Sequence, residues 1–138
     1  MGSILSALLG GGAASAAEGP SADGSSSESR VLTFHSTNRW QLHYNAFKDS
    51  NQLLVIDFSA SWCGPCKFIE PAVRALANKF STVEFAKIDV DELPDVAREF
   101  QVQAMPTFIL AKKGAIVDKV VGAKKEELEQ KIAKHVSS

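Results

Sequence analysis

From Val31 onward apolar residues recur with a spacing that changes about every ten positions, the mark of strands alternating with helices. Val31-Leu32-Thr33-Phe34-His35 alternates apolar and polar as a short strand does. Ser36 then stands where it can cap a helix that carries Trp40, Tyr44 and Phe47, core residues in this reading, and ends near Lys48. Leu53-Leu54-Val55-Ile56-Asp57-Phe58 is apolar at successive positions with one acid among them, which predicts a central strand covered on both faces. A long helix is expected after Cys66, with Phe68, Ile69, Val73, Leu76 and Phe80 turned inward and Pro71 kinking it. Val83 to Ile88 reads as the next strand, and a short helix opens at or near Asp91 and runs to Phe100. Thr107 to Ala111 forms a strand directly after Met105-Pro106, and Lys112-Lys113-Gly114 turns the chain back into Ala115 to Val121. The last helix, from Lys124 to about Val136, sets Leu128, Ile132 and Val136 on one stripe. The order βαβαβαββα predicts an α/β fold, a mixed five-stranded sheet flanked by four helices.

The periodic part does not reach the N-terminus. Of the first 29 residues 20 are Ser, Gly or Ala, and none is aromatic, Lys or Arg. Such a segment buries too little apolar surface to offset the entropy of ordering it, so residues 1–29 are expected to be disordered and residues 30–138 to form one folded domain. The extension holds Glu18, Asp23 and Glu28, which leaves all 15 basic residues and 13 of the 16 acidic ones to the domain. With 45% hydrophobic residues, 22% charged residues and a net charge of -1, the 138-residue chain reads as a soluble globular protein without a basic footprint for nucleic acid. Its longest uncharged stretch, Met1 to Ala17, is interrupted by Gly10-Gly11-Gly12 and by serines, short of the roughly 20 apolar residues a spanning helix requires.

Two cysteines, Cys63 and Cys66, exclude a disulfide-stapled scaffold and a four-cysteine metal site. They fall between a predicted strand and a predicted helix, in Trp62-Cys63-Gly64-Pro65-Cys66-Lys67, and cysteines so spaced close a small disulfide ring with little backbone movement. At the helix N-terminus unpaired N–H groups and the helix dipole favour the thiolate, which makes Cys63 the nucleophile. Cys66, one turn further in, is expected to be more buried and to wait as the resolving thiol. Pro65 suits the first helical turn, where its missing N–H costs nothing. Half a zinc site and a purely structural disulfide are the competing readings, but His35, His43 and His135 are scattered without paired spacing and are assigned no role. Asp57 is either a strand-end residue facing solvent or a buried carboxylate of raised pKa. Met105-Pro106-Thr107 precedes an apolar strand, so Pro106 is no ordinary central-strand residue.

Asp57-Phe58, Trp62-Cys63-Gly64-Pro65-Cys66-Lys67, Met105-Pro106-Thr107 and Gly122 stand in an order that closely resembles the thioredoxin family, over about residues 31–137. Ser59-Ala60-Ser61 ahead of Trp62 is similar to the plant h-type members, and the Gly2-initiated extension to their second, N-terminally extended subgroup. The resemblance implies the thioredoxin fold. It implies that Asp57 relays a proton from Cys66 through water, that Lys87 neighbours this acid and moderates its shift, and that the bond before Pro106 is cis, with the Met105 backbone free to pair with a substrate chain. Trp62, Gly64, Pro65, Ala104, Met105, Val121, Gly122 and Ala123 would then form a flat apolar collar around Cys63.

The function so implied is reduction of protein disulfides by a monomer with no bound cofactor. An NADPH-dependent thioredoxin reductase would recharge it, the chain having no nucleotide-binding fingerprint, and its targets would be disulfide-containing proteins such as peroxiredoxins and methionine sulfoxide reductases. A glutathione-recharged, glutaredoxin-like protein, a protein disulfide isomerase and a redox-independent binding module are the alternatives; Gly64-Pro65 and the lack of a secretory signal favour the reductant. Met1-Gly2-Ser3-Ile4-Leu5-Ser6 fits the N-myristoylation pattern with Gly2 as acceptor. One acyl chain binds membranes only marginally, and no nearby Cys or basic cluster adds a second anchor, so a cytoplasmic protein with weak endomembrane association is expected. A mitochondrial presequence is the rival, favoured by Ser and Ala and opposed by three acids and the lack of Arg.

Overall fold

Ser36 separates the first two elements as expected: its hydroxyl accepts the Arg39 N–H at 3.3 Å, ending β1 (Val31–Phe34) and starting α1 (Thr37–Ala46). The structure, a computed structural model, describes residues 29–137. The expected disorder of residues 1–29 and the acylation of Gly2 lie outside the described residues, Ser29 excepted. The remaining elements are β2 (Leu54–Ser59), α2 (Gly64–Lys79), β3 (Glu84–Asp89), α3 (Pro94–Glu99), β4 (Thr107–Lys112), β5 (Ala115–Val121) and α4 (Lys125–Val136). The strands form one sheet in the order β1-β3-β2-β4-β5. β1 and β2 both run parallel to β3, whereas β4 is antiparallel to β2 and β5 to β4.

Every residue of β2 is buried, as its unbroken apolar run requires of a central strand. Its alternation divides the core. Leu54, Ile56 and Phe58 join Trp40 of α1, Ile88 of β3 and Phe100 after α3 on one face of the sheet. Val55 joins Phe85, Phe108, Ile69 and Val73 of α2, and Leu128 and Ile132 of α4, on the other. Trp40, Phe58, Phe85 and Phe108 are each at most 1% exposed, and full burial of such a side chain stabilises the fold by about 1.5–3 kcal/mol. Tyr44 and Phe47 pack on the Trp40 side, which makes that aromatic group core.

Three local expectations are corrected. Phe68 is 79% exposed, because the inward stripe of α2 is Cys66, Ile69, Val73, Leu76 and Ala77, and Phe68 falls one residue out of phase with it. Pro71, the residue expected to kink this helix, lies inside α2. Val136 is 38% exposed and lines an open groove with Asn51, Gln52 and Lys112 instead of extending the α4 stripe. α3 begins at Pro94 rather than Asp91, since the Asp89 carboxylate accepts the N–H groups of Asp91 and Glu92 and folds them into a turn. Between β4 and β5 both Lys113 (φ 54°) and Gly114 (φ 78°) are left-handed, as a two-residue hairpin loop demands. The histidines are dispersed: His35 meets Glu92, His43 lies beside Glu84, and His135 ties α4 to Asp118 of β5.

Candidate active site

The switch from β2 to α2 is where the chemistry collects. Cys63 is the residue before the helix, extended at φ -89° and ψ 113°, and its Sγ accepts the N–H of Cys66 at 3.2 Å. That contact gives one unpaired helix-end donor a sulfur to face, the arrangement that stabilises a thiolate at this position. Pro65, in the first turn, has no N–H to leave unpaired. Cys63 and Cys66 are bonded to one another, with their Cα atoms 5.3 Å apart. In this oxidised state they are equally buried, 5% and 6% exposed, so the expected difference in burial is absent. What distinguishes them is place: Cys63 caps the helix and Cys66 belongs to its inward stripe.

Ala60, Met105 and the two cysteines pack together, and the Met105 carbonyl oxygen lies 3.7 Å from Cys63 Sγ. The Met105-Pro106 bond is cis. Thr107 donates its hydroxyl to the Ala104 carbonyl at 2.5 Å, and Gly122 (φ 103°) donates its N–H to the Pro106 carbonyl at 2.8 Å. Gly122 thereby reaches Cys63 through the Met105-Pro106 segment, and Val121 is in register with Thr107. Ala104 and Val121 are exposed, whereas Ala123 packs against the α2 and α4 core and contributes less to any open collar. Trp62 is 67% exposed, and its indole N–H donates to Asp91 Oδ2 at 2.8 Å. Sequence reading placed Asp91 at a helix start and missed this bond, which joins positions 29 apart. A Cβ at Gly64 would meet nothing within 4 Å, so folding alone does not require glycine there.

Asp57 is 6% exposed, which overturns the solvent-facing alternative. It alternates with Val55 to the α2 side of β2, and its Oδ1 has no hydrogen-bond partner. Burial pushes its carboxyl up to about 7, Lys87 pulls it back in part, and Glu70 pushes it up further. Lys87 is the register partner of Asp57 on β3, but its Nζ donates to Glu70 Oε2 at 2.6 Å. Glu70 was not foreseen. The signal available was its position four residues after Cys66, on the same side of a helix.

The strand-turn-helix dithiol, the paired Met105-Pro106 segment and the sheet order agree with what the wider comparison finds. The Thioredoxin family model matches residues 33–134. The chain belongs to the thioredoxin family. It is 58% identical over 135 residues to Thioredoxin H2 of Arabidopsis thaliana, covering 97% of this chain and 98% of that protein. It is 54% identical over 120 residues to Thioredoxin H2-2 of Oryza sativa subsp. japonica, covering 86% and 89%. Among solved structures, thioredoxin NaTrxh from Nicotiana alata superposes with a TM-score of 0.77 at 64% identity, covering 78% of this chain and 93% of that one. The architecture is the thioredoxin fold, the relatives are plant h-type thioredoxins, and the chain is a thiol-disulfide oxidoreductase of a family that carries no bound cofactor.

Proposed function

We propose that this thioredoxin runs in the reducing direction, with Cys63 as nucleophile, Cys66 as resolving thiol and Asp57 as the group that takes the Cys66 proton. The observation that carries the proposal is a cysteine pair at the N-terminus of α2 beside a buried carboxyl whose pKa is raised to about 7. The Cys63 thiolate attacks one sulfur of a target disulfide; a Cys63–target bond forms and the other target sulfur leaves as thiolate. Cys66 gives its proton to the Asp57 carboxylate through water and attacks Cys63 Sγ. The Cys63–Cys66 bond forms, the second target thiolate leaves, and two electrons have passed to the target. A carboxyl titrating near 7 suits this task at neutral pH, where part of it is ionised and ready to accept. Trp62, Gly64, Pro65, Ala104, Met105, Val121 and Gly122 form the docking surface, with a target segment pairing to the Met105 backbone.

An NADPH-dependent thioredoxin reductase restores the dithiol, and peroxiredoxins and methionine sulfoxide reductases are among the targets. Support for the former class comes from a solved relative, 39% identical with a TM-score of 0.68, whose structure concerns the thiol resolving mechanism of a yeast mitochondrial 1-Cys peroxiredoxin via glutathione and thioredoxin systems. The decisive assay supplies insulin as the disulfide and compares two donors. Rapid reduction with NADPH and thioredoxin reductase is expected, and slow reduction with glutathione; the reverse ranking would move the protein to the glutaredoxin class.

Gly2 is proposed as an N-myristoylation site that divides the protein between cytoplasm and endomembranes. Its sequence pattern, Met1-Gly2-Ser3-Ile4-Leu5-Ser6, supports this. Cell fractionation of wild type and Gly2→Ala tests it: a membrane-bound part lost in the variant is expected. Identical soluble distributions would remove the anchor, and import with N-terminal cleavage would establish the mitochondrial alternative.

A further inference from the structure

β2 and β3 turn Asp57 and Lys87 to the same side of the sheet, beside Val55 and Phe85 respectively, and both face α2. One turn beyond Cys66, α2 presents Glu70 to this pair. The Lys87 ammonium therefore has two carboxylates within its surroundings, one buried and one half-buried. It sits on the half-buried one: Nζ to Glu70 Oε2 is 2.6 Å, while Asp57 Oδ1 has no hydrogen-bond partner. A buried carboxylate that won this ammonium would be held ionised and would become a weak base.

We infer that Glu70 is a positioning residue for the thiol chemistry: by holding Lys87 in an ion pair 2.6 Å long, it keeps that cation from pairing with Asp57 and so preserves the basicity that Asp57 needs to deprotonate Cys66. The inference rests on the role given to Asp57 under the proposed function. Among the described residues the charged groups facing Asp57 are Lys87 from β3 and Glu70 from α2; β4 offers Phe108 as its register partner, and the bonded cysteines at the start of α2 carry no proton. Arg74, the next turn of α2, lies 3.9 Å from Glu70 Oε1 and stays cationic throughout. The direction of the electrostatic influences agrees, Lys87 lowering the Asp57 pKa and Glu70 raising it.

Glu70→Gln removes the charge and keeps the shape, at a half-exposed position outside the buried core. In the full-length oxidised protein the Asp57 carboxyl carbon, followed by NMR against pH, reports the midpoint directly. Glu70→Gln is expected to lower that midpoint by about half a pH unit, roughly a threefold loss of basicity, and Glu70→Asp to retain most of it. Lys87→Met is expected to raise the midpoint, and Glu70→Gln added to Lys87→Met to shift it by much less than in wild type, because the two act through one cation. In stopped-flow traces, Glu70→Gln should also move the pH profile for release of reduced target to lower pH. A midpoint that stays put or rises in Glu70→Gln, or that falls equally with and without Lys87, would overturn the inference. Asp57→Asn separates the two readings: unchanged release there removes Asp57 from the mechanism, while the NMR midpoints still decide whether Glu70 acts on it through Lys87.

Discussion

On the α1 and α3 side of the sheet β2 presents Leu54, Ile56 and Phe58 to Trp40, Ile88 and Phe100, and among the described residues no carboxyl is buried with them. On the α2 and α4 side the same strand presents Val55 and then Asp57, a carboxyl with one oxygen unpartnered. Position within the strand does not separate Asp57 from Phe58, for both are buried near its C-terminal end. What separates them is the face. One leads to a packed aromatic group, the other to the helix that starts at the cysteines, so both faces carry a packed core and only one of them also holds a costly buried carboxyl.

The comparison is broken most completely at the cysteines. Cys63→Ser is expected to abolish turnover, whereas Cys66→Ser still attacks and accumulates as mixed disulfides with its targets; equal trapping by both on non-reducing gels would remove the asymmetry. On the apolar face, Phe58→Ala is expected to cost about 3–5 kcal/mol in denaturant unfolding and to leave the per-molecule rate of thiol exchange unchanged below the transition. A loss under about 1 kcal/mol would mean that this face is not tightly packed.

Asp57→Asn sharpens the contrast by removing the costly group. The folded pKa of about 7 lies above the 3.8 of the free carboxyl, so between these values the folded state holds the proton more firmly than the unfolded chain. The stability this contributes is complete below pH 3.8 and is lost as pH rises through about 7. The variant should therefore unfold with wild type near pH 3.5 and gain on it toward pH 9, by at most about 4 kcal/mol less what the buried amide costs. Thermal melts at the two pH values check this, and a gain at the acidic end would reverse the sign. The same variant should slow release of reduced target more than initial attack. The smallest effect is expected from Gly64→Ala, within about 0.5 kcal/mol of wild type in stability because the added methyl meets nothing, but with a raised KM for protein disulfides if target backbone approaches there. An unchanged KM would exclude Gly64 from the docking surface.

The local code carried far. The order of strands and helices, the Ser36 cap, the Lys113-Gly114 turn and the cysteines at a helix start are each settled within a few residues, by periodicity, by one side-chain hydrogen bond or by backbone freedom, and they stand in the structure as the sequence predicts. Contacts between distant segments were not legible in the same way. Phe68 and Ile69 are neighbours of like hydropathy, and only the rotation of α2 on the sheet decides which is buried. Asp57 could face water or the core until helices covered both sides of β2. The bonds from Trp62 to Asp91 and from Lys87 to Glu70 join positions 29 and 17 apart, and they exist because strand register and helix placement bring those side chains together. Composition and spacing thus determined where the redox pair lies and what fold presents it. The proton affinity of the acid beside that pair was decided by tertiary packing, since desolvation and the choice of ion-pair partner are properties of the assembled interior, not of any stretch of chain.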